Sequence, residues 1–199
     1  MQKSISLAFE TILLYDGKAQ NLKYHQDRLS RTRCELFGFD NFLSLQALDL
    51  KTDYKIARCK VTYGKTVEKI EIQEYHKKPI SKFAIISSDI DYTYKLTDRG
   101  GIDEMFARKG DADDVLIVRD NLLTDTSIAN IALFDGTNWL TPKEPLLAGT
   151  MRAKLLDDGF LIEADIRSDD LPNYQKIAIM NALRGFEIVT KPILVKSHL

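Results

Sequence analysis

The sequence predicts a mixed α+β fold, because helix-like and strand-like patterns both occur along the 199-residue chain. Apolar residues recur at helical spacing from Leu22 to Phe37. Residues 56–63 instead alternate between apolar and polar side chains, which is the period of a β-strand. The continuous apolar run from Val115 to Val118 is typical of a buried strand. The length allows one large domain or two small ones.

The first part of the chain is predicted to form a hairpin, a helix and further strands. Asp16-Gly17 tolerates the positive φ angles of a tight hairpin, and Gly38 stands where a C-terminal helix cap belongs. Gly64-Lys65 is the expected turn between two strands. In chain order we predict a strand over 5–15, a helix over 22–37, a short second helix over 42–50, and strands over 56–63, 66–75 and 83–87.

The second part is predicted to be richer in strands. Residues 89–98 show no periodicity and are interpreted as a linker. The boundary is therefore placed there, with an N-terminal α/β domain over 1–88 and a C-terminal β-rich domain over 89–199. The elements predicted after the linker are a helix over 101–108, strands over 115–118 and 128–134, a helix over 150–156, and strands over 176–183 and 187–189.

Composition favours a small-molecule partner. The chain carries 28 Lys+Arg against 29 Asp+Glu, a formal net charge of -1, whereas binding to nucleic acid or to a membrane surface requires a basic excess. Cys34 and Cys59 have no metal-ligand spacing, so no metal site is expected. No apolar leader or membrane-length segment is present, and a cytoplasmic location with reduced thiols is expected.

Lys95 is the candidate catalytic residue, because a lysine amine can form a Schiff base with a carbonyl cofactor. Most lysines are solvated surface groups, so this interpretation depends on other residues. Gly149-Thr150-Met151 opens a predicted helix, whose N-terminus offers N–H donors to a phosphate. Arg28 could grip the same phosphate bidentately. A plain helix start and an exposed helix arginine are the structural alternatives.

Asp125 is the candidate partner for a cofactor ring nitrogen, since a carboxylate there keeps such a nitrogen protonated. Residues 124–127 could instead form only a polar turn. Asn130 lies in an apolar run and would be costly to bury without partners, so we expect it to tie down the loop that carries Asp125.

Taken in order, these segments resemble the class IV aminotransferase family of fold-type-IV pyridoxal 5'-phosphate enzymes. The family includes branched-chain and D-amino-acid transaminases and aminodeoxychorismate lyase. The similarity extends from about Phe9 to Val189. The matching segments are Phe9-Glu10-Thr11 with Asp16-Gly17, His25 to Leu29, Tyr94-Lys95, Asp125 to Asn130, Thr141-Pro142, Leu146-Leu147 and Gly149 to Arg152.

The resemblance implies a role for each matched residue. Lys95 corresponds to the Schiff-base lysine, Arg28 to the phosphate arginine and Asp125 to the ring-nitrogen carboxylate. Thr150 and Met151 are expected to give backbone donors to the phosphate. The resemblance further implies a small N-terminal α/β domain, a larger β-rich pseudo-barrel domain with the cofactor between the two, and a homodimer.

Within the family the chain is most similar to the lyase. Met151 and the segment Met180-Asn181-Ala182-Leu183 match the lyase pattern better than the transaminase pattern. This likeness implies release of pyruvate and 4-aminobenzoate from 4-amino-4-deoxychorismate, a step in folate biosynthesis. A transaminase for a branched-chain or D-amino acid, and a non-catalytic family member, are the alternatives. Asn181 is a candidate substrate residue.

The substrate's two carboxylates call for cationic partners. The candidates are Arg99, Arg58, Lys60 and Arg152.

Three departures from the family pattern concern the same pocket. Asp125 replaces the family's glutamate, the opening hairpin before Phe9 is expected to be missing, and the substrate loop is reduced to Gly64-Lys65-Thr66.

Overall fold

The computed structural model describes residues 6–196 and contains both helices and strands. The helices are α1 (Leu22–Phe37), α2 (Gly100–Ala107), α3 (Thr150–Asp157) and the 3-10 helix η1 (Ser168–Asn173). The strands are β1 (Ala8–Tyr15), β2 (Lys18–Ala19), β3 (Ile56–Tyr63), β4 (Val67–Glu74), β5 (Lys82–Ser87), β6 (Asp114–Arg119), β7 (Leu122–Leu123), β8 (Asn130–Phe134), β9 (Trp139–Pro142), β10 (Leu161–Ala164), β11 (Lys176–Asn181), β12 (Gly185–Ile188) and β13 (Ile193–Lys196). None of the helices within residues 6–196 has the length and apolar character needed to cross a membrane.

The chain divides into two compact units. The first contains the residues up to Lys77 together with Tyr94–Asp98, and the second contains Lys78–Thr93 and the chain from Arg99 onward. Strand β5 belongs to the second unit because it pairs with β6 and β13 there. Tyr94–Asp98 belongs to the first unit because Leu96 forms a bridge with Ala8. The domain boundary at residue 88 stays a prediction. The two compact units instead divide after Lys77, with Tyr94–Asp98 returning to the first unit.

In the first unit, α1 packs on one face of the antiparallel sheet β2-β1-β3-β4. Strand β3 alternates as predicted, and β1 alternates in the same way, so that every second residue points to this face. The buried residues that line it are Ala8, Ile12, Leu14, Ala57, Cys59, Val61 and Tyr63, which surround Leu29 of α1. Gly38 ends α1 with φ 70°, which confirms the predicted cap. Of the predicted first strand, Ala8–Tyr15 is confirmed, whereas Ile5 lies outside the described residues.

The predicted second helix over 42–50 is wrong, because the side chain of Gln26 takes backbone groups that a helix would use. Its Oε1 accepts from the backbone N–H of Leu45 at 2.8 Å, and its Nε2 donates to the carbonyl of Leu43 at 2.8 Å. Leu45 is buried in the first core, so the segment is anchored by one apolar side chain and by Gln26. It forms turns instead of a helix.

The second unit contains two sheets that share a hydrophobic core. Their strand orders are β13-β5-β6-β7 and β10-β9-β8-β11-β12. One side of each sheet contributes to the shared core, as Leu116 of β6 and Ile131 of β8 illustrate. The opposite sides are covered by helices: α2 packs through Ile102 on the β5-β6 side, and Met151 of α3 packs near Ala132 of β8. The run Val115–Val118 is continuous in hydrophobicity because both of its faces are buried.

Candidate active site

Lys95 is fixed by its backbone to the start of β1. Its carbonyl accepts a hydrogen bond from the N–H of Phe9 at 2.9 Å, and the next residue, Leu96, forms an antiparallel bridge with Ala8. The Lys95 side chain is half-buried, and its Nζ lies 4.9 Å from the centroid of the Phe9 ring. A lysine in the predicted linker is thereby held against a sheet, and its ammonium is placed over an aromatic face.

Lys60 approaches the same aromatic ring. Its Nζ lies 4.7 Å from the Phe9 centroid. Lys60 lies opposite Thr11 on the neighbouring strand, so it projects from the sheet face that Phe9 shares. Arg58, two residues earlier on β3, projects from that face as well. Two of the cations proposed for substrate carboxylates thus lie on the same sheet face as the ring that contacts Lys95.

Arg28 is buried on α1 and is paired with Glu10 of β1. Its Nε donates to Glu10 Oε1 at 2.9 Å and its Nη2 donates to Glu10 Oε2 at 2.5 Å. His25 Nδ1 lies 2.6 Å from the same Oε2. Burial would raise the pKa of Glu10, but the charge of Arg28 and hydrogen bonds from His25 and Arg28 outweigh it and lower the pKa to about 2.

The Glu10 contact changes how Arg28 can meet a phosphate. The Nε/Nη2 edge, which forms the usual bidentate fork, is directed at a carboxylate of the protein itself. Sequence reasoning missed Glu10 and His25. The signal was a glutamate at an inward position of an apolar strand, between Ala8 and Ile12, since such a residue is buried only with partners.

Asp125 lies in the second unit, in the loop between β7 and β8, and is 4% exposed. Its Oδ1 accepts from Asn130 Nδ2 at 2.7 Å, and its Oδ2 accepts from the backbone N–H of Leu147 at 2.9 Å. Burial raises the pKa of Asp125 to about 7, although the hydrogen bonds from Asn130 and Leu147 and the charge of Arg152 lower it. A cation beside this carboxylate would favour its ionised form.

Asn130 joins the Asp125 loop to the start of α3. Its Nδ2 also donates to the carbonyl of Leu147 at 2.8 Å, which confirms that Asn130 ties down this loop. A Cβ added to Gly149 would lie 1.8 Å from Asn130 Oδ1, so only glycine allows this approach. Thr150, the first residue of α3, is buried. Asp125 and the helix start proposed for the phosphate are thus linked within the second unit.

Two of the three remaining substrate candidates, Arg99 and Asn181, contact the backbone of the Asp125 loop. Arg99 Nη2 donates to the carbonyl of Ser127 at 3.1 Å, and Asn181 Nδ2 donates to the carbonyl of Ile128 at 3.1 Å. Both side chains therefore hold adjacent peptide groups of one loop.

Arg152 also has a structural role. Its Nη2 donates to the carbonyl of Pro142 at 2.8 Å and to Glu163 Oε1 at 2.7 Å. It therefore connects α3 to β9 and β10.

The donor set fits pyridoxal phosphate. A buried carboxylate suits a protonated ring nitrogen, and a helix start with a glycine before it suits a phosphate. Among residues 6–196, no group of three or more His, Cys, Asp or Glu side chains could hold a metal ion.

Comparisons with known proteins give the same family. A model of the amino-transferase class IV family matches residues 7–191. An uncharacterised protein of Haemophilus influenzae is 36% identical over 183 residues, covering 89% of this chain and 97% of the relative.

Solved structures resemble the chain along nearly its whole length. A crystal structure from Haemophilus somnus 129PT, provisionally named 4-amino-4-deoxychorismate lyase, is 31% identical with a TM-score of 0.78, covering 92% of this chain and 99% of the other. The pyridoxal-phosphate-bound form of a Mycobacterium tuberculosis protein described as a hypothetical aminotransferase has a TM-score of 0.77 at 18% identity, covering 98% and 83%. The chain therefore belongs to the class IV aminotransferase family and has its mixed α/β, fold-type-IV architecture.

Proposed function

We propose that the chain is a pyridoxal 5'-phosphate-dependent lyase that converts 4-amino-4-deoxychorismate to 4-aminobenzoate and pyruvate, a step of folate biosynthesis. The observation that carries the proposal is the connection of Asp125 to the start of α3 through Asn130. This arrangement suits a ligand that has a basic ring nitrogen and an anionic phosphate.

When bound, pyridoxal phosphate supplies an aldehyde that combines with amines and a ring that accepts electrons from the substrate carbon bearing nitrogen. Asp125 would hold a proton at the ring nitrogen. Arg28 and the backbone N–H groups of Thr150 and Met151 would bind the phosphate. The amine of Lys95 would hold the aldehyde at rest and yield it to the substrate amine.

Lys95 would then transfer the protons of the reaction. Its neutral amine removes the ring proton of the substrate at the carbon bearing nitrogen, and the bond to the enolpyruvyl oxygen breaks. The proton returns to the departing enolpyruvate, which becomes pyruvate. The ring left behind is aromatic, and this drives the reaction to 4-aminobenzoate.

The choice of a lyase is supported by Met151, by the Met180-Asn181-Ala182-Leu183 segment, and by the full-length likeness to a protein provisionally named as that lyase. Arg99 and Asn181 remain our proposed substrate-side residues. We propose that they act by fixing the peptide groups of Ser127 and Ile128.

The decisive experiment measures pyruvate release from 4-amino-4-deoxychorismate by the wild type and by Lys95→Ala. We expect release by the wild type and none by the variant. Lys51→Ala is the control, because the Lys51 side chain is 89% exposed and should not affect turnover. Unchanged release by Lys95→Ala would overturn the proposal.

Two further assays separate the alternatives. Keto-acid formation from an amino-acid panel with 2-oxoglutarate, without pyruvate release, would identify a transaminase. A protein that stays colourless after addition of pyridoxal phosphate would be a non-catalytic family member.

We further propose that the enzyme acts on its small-molecule substrate as a cytoplasmic homodimer. The chain mass is 22.7 kDa. Light scattering coupled to gel filtration should therefore give about twice this mass, and a monomer mass would contradict the dimer.

A further inference from the structure

Glu10 pairs with Arg28 in the first unit but takes part in no step of the proposed reaction. Glu10 is fully buried on the face of β1 that packs against α1, and Arg28 approaches it from α1. Both carboxylate oxygens are engaged, Oε1 by Arg28 Nε and Oε2 by Arg28 Nη2 and His25 Nδ1. The guanidinium plane is therefore fixed by two parallel hydrogen bonds.

Such a buried pair is not explained by stability alone. Removing two charges from water costs several kcal/mol per ion, and an apolar pair of similar size is often as stable. The neighbours of Glu10 on this face, Ala8 and Ile12, show that the strand otherwise carries apolar residues here. A carboxylate at this position is therefore more consistent with orienting Arg28 than with filling the core.

We infer that Glu10 is a positioning residue that orients the Arg28 guanidinium to receive a phosphate monoester dianion, the anionic end of the cofactor. This inference rests on the proposed function, which assigns Arg28 to the phosphate. Because the Nε/Nη2 edge faces Glu10, the carboxylate fixes the direction in which the rest of the guanidinium points. His25 holds the Glu10 oxygen that accepts from Nη2.

The test compares the affinity of each protein for pyridoxal phosphate and for pyridoxal, which lacks the phosphate. Glu10→Gln keeps the side-chain size but removes the charge and one acceptor. We expect its dissociation constant for pyridoxal phosphate to rise about 10–100-fold, as for loss of a charge-assisted hydrogen bond, with little change for pyridoxal. A purely structural role of Glu10 would weaken binding of both ligands equally.

Glu187→Gln is the matched control. Glu187 pairs with the buried guanidinium of Arg184 at 2.7 Å, so the same substitution removes a comparable partner elsewhere in the chain. It should leave the ratio of the two affinities unchanged. If Glu10→Gln does not fold, Glu10→Asp keeps the charge but withdraws the carboxylate by one methylene, and it should raise the same ratio by a smaller factor.

Inorganic phosphate distinguishes failure of this inference from failure of the proposed function. We expect phosphate to raise the melting temperature of the wild type and of Glu187→Gln, but not of Glu10→Gln. If phosphate shows this pattern while pyridoxal forms no imine with Lys95, the proposed function fails and the role of Glu10 stands. A folded Glu10→Gln or Glu10→Asp with wild-type phosphate binding and an unchanged affinity ratio overturns the inference, even if the imine forms.

Discussion

Asn130 and Asp125 are joined by a hydrogen bond of 2.7 Å that is part of a closed ring of three. The same Asn130 nitrogen donates to the carbonyl of Leu147 at 2.8 Å, and the N–H of Leu147 donates to the other oxygen of Asp125 at 2.9 Å. Only one orientation of the Asn130 amide is possible, with Nδ2 facing these groups, because the Asp125 carboxylate and the Leu147 carbonyl both require a donor. This ring couples the loop before β8 to the residues before α3.

Asn130→Ala is expected to lower the free energy of unfolding by about 2–4 kcal/mol. Two buried acceptors, on Asp125 and Leu147, lose their donor, and each unsatisfied group costs about 1–3 kcal/mol. Urea denaturation followed by circular dichroism measures the change. The exposed Asn173 provides the control, since Asn173→Ala should stay within about 0.5 kcal/mol of the wild type. Equal effects of the two substitutions would refute the ring's importance.

Gly149→Ala is expected to destabilise the fold by about 1–3 kcal/mol through overpacking. The backbone at Gly149 has φ -73°, which alanine adopts readily, so the cost comes from the 1.8 Å approach of the new Cβ to Asn130 Oδ1. Denaturation of the single variants and of Gly149→Ala combined with Asn130→Ala tests this origin. The double variant should be more stable than the sum of the two single effects predicts, because the obstructing amide is gone.

Gly101→Ala is the control for that experiment. Its new Cβ would lie 2.5 Å from Cδ1 and 3.1 Å from Cγ1 of Ile90, a side chain that can rotate away, and alanine is favoured within α2. We expect little loss of stability. Additive effects of Gly149→Ala and Asn130→Ala would show that the clash lies elsewhere.

The sequence predicted most elements where the signal is local. The bounds of α1, Leu22–Phe37, follow from its apolar period and from Gly38, and both signals lie within or beside the helix. The strands β9, β10 and β13 were missed because they are only four residues long. In addition, β13 pairs in parallel with the distant β5, and β10 pairs in parallel with β9 across α3. The apolar–polar patterns of β10 and β13 are also weak signals, since apolar residues such as Ile162 and Ile193 are about half exposed and do not mark a buried face. The helix predicted over 42–50 failed because Gln26, distant in sequence, competes for its backbone groups.

The residues of the candidate site also differ in whether their signal is local in the sequence or depends on contacts between distant residues. Lys95, Arg28 and Asp125 were selected from sequence because ordered motifs surround them, and their roles stay predictions. Glu10 carried a signal as a glutamate at an inward position of an apolar strand, but its partners could not be identified, because their contacts depend on which faces of β1 and α1 meet. The Asn130 amide was expected to bind the loop, but its approach to Gly149 becomes apparent only in three dimensions.

The two cysteines are expected to differ sharply in reactivity. Cys34 is exposed on α1, whereas Cys59 is fully buried on β3, and burial raises the pKa of its thiol to about 11. Titration of the native protein with a disulfide reagent at pH 8 should therefore modify one thiol quickly and the second only after unfolding. Cys34→Ser should remove the fast phase. Two fast phases in the native wild type would contradict the burial of Cys59.

Asp125 should make the fold less stable as the pH rises from about 4 to about 7. The folded state keeps the Asp125 proton up to a pKa of about 7, whereas the unfolded chain releases it near the ordinary aspartate pKa of 3.8. Between these values the folded state binds one more proton, so the free energy of unfolding falls with rising pH and becomes constant above about 7. Asp125→Asn lacks this proton.

The measurement is urea unfolding of the wild type and of Asp125→Asn across pH 5 to pH 8. The difference between the two free energies should shift against the wild type by a few kcal/mol and then level off. Glu10 does not disturb this range, because its pKa is lowered from 4.5 to about 2 and its contribution is lost only below about pH 4.5. A difference that is constant between pH 5 and pH 7 would mean that Asp125 is already ionised in the folded protein, and the carboxylate would then need no cofactor cation to hold its charge.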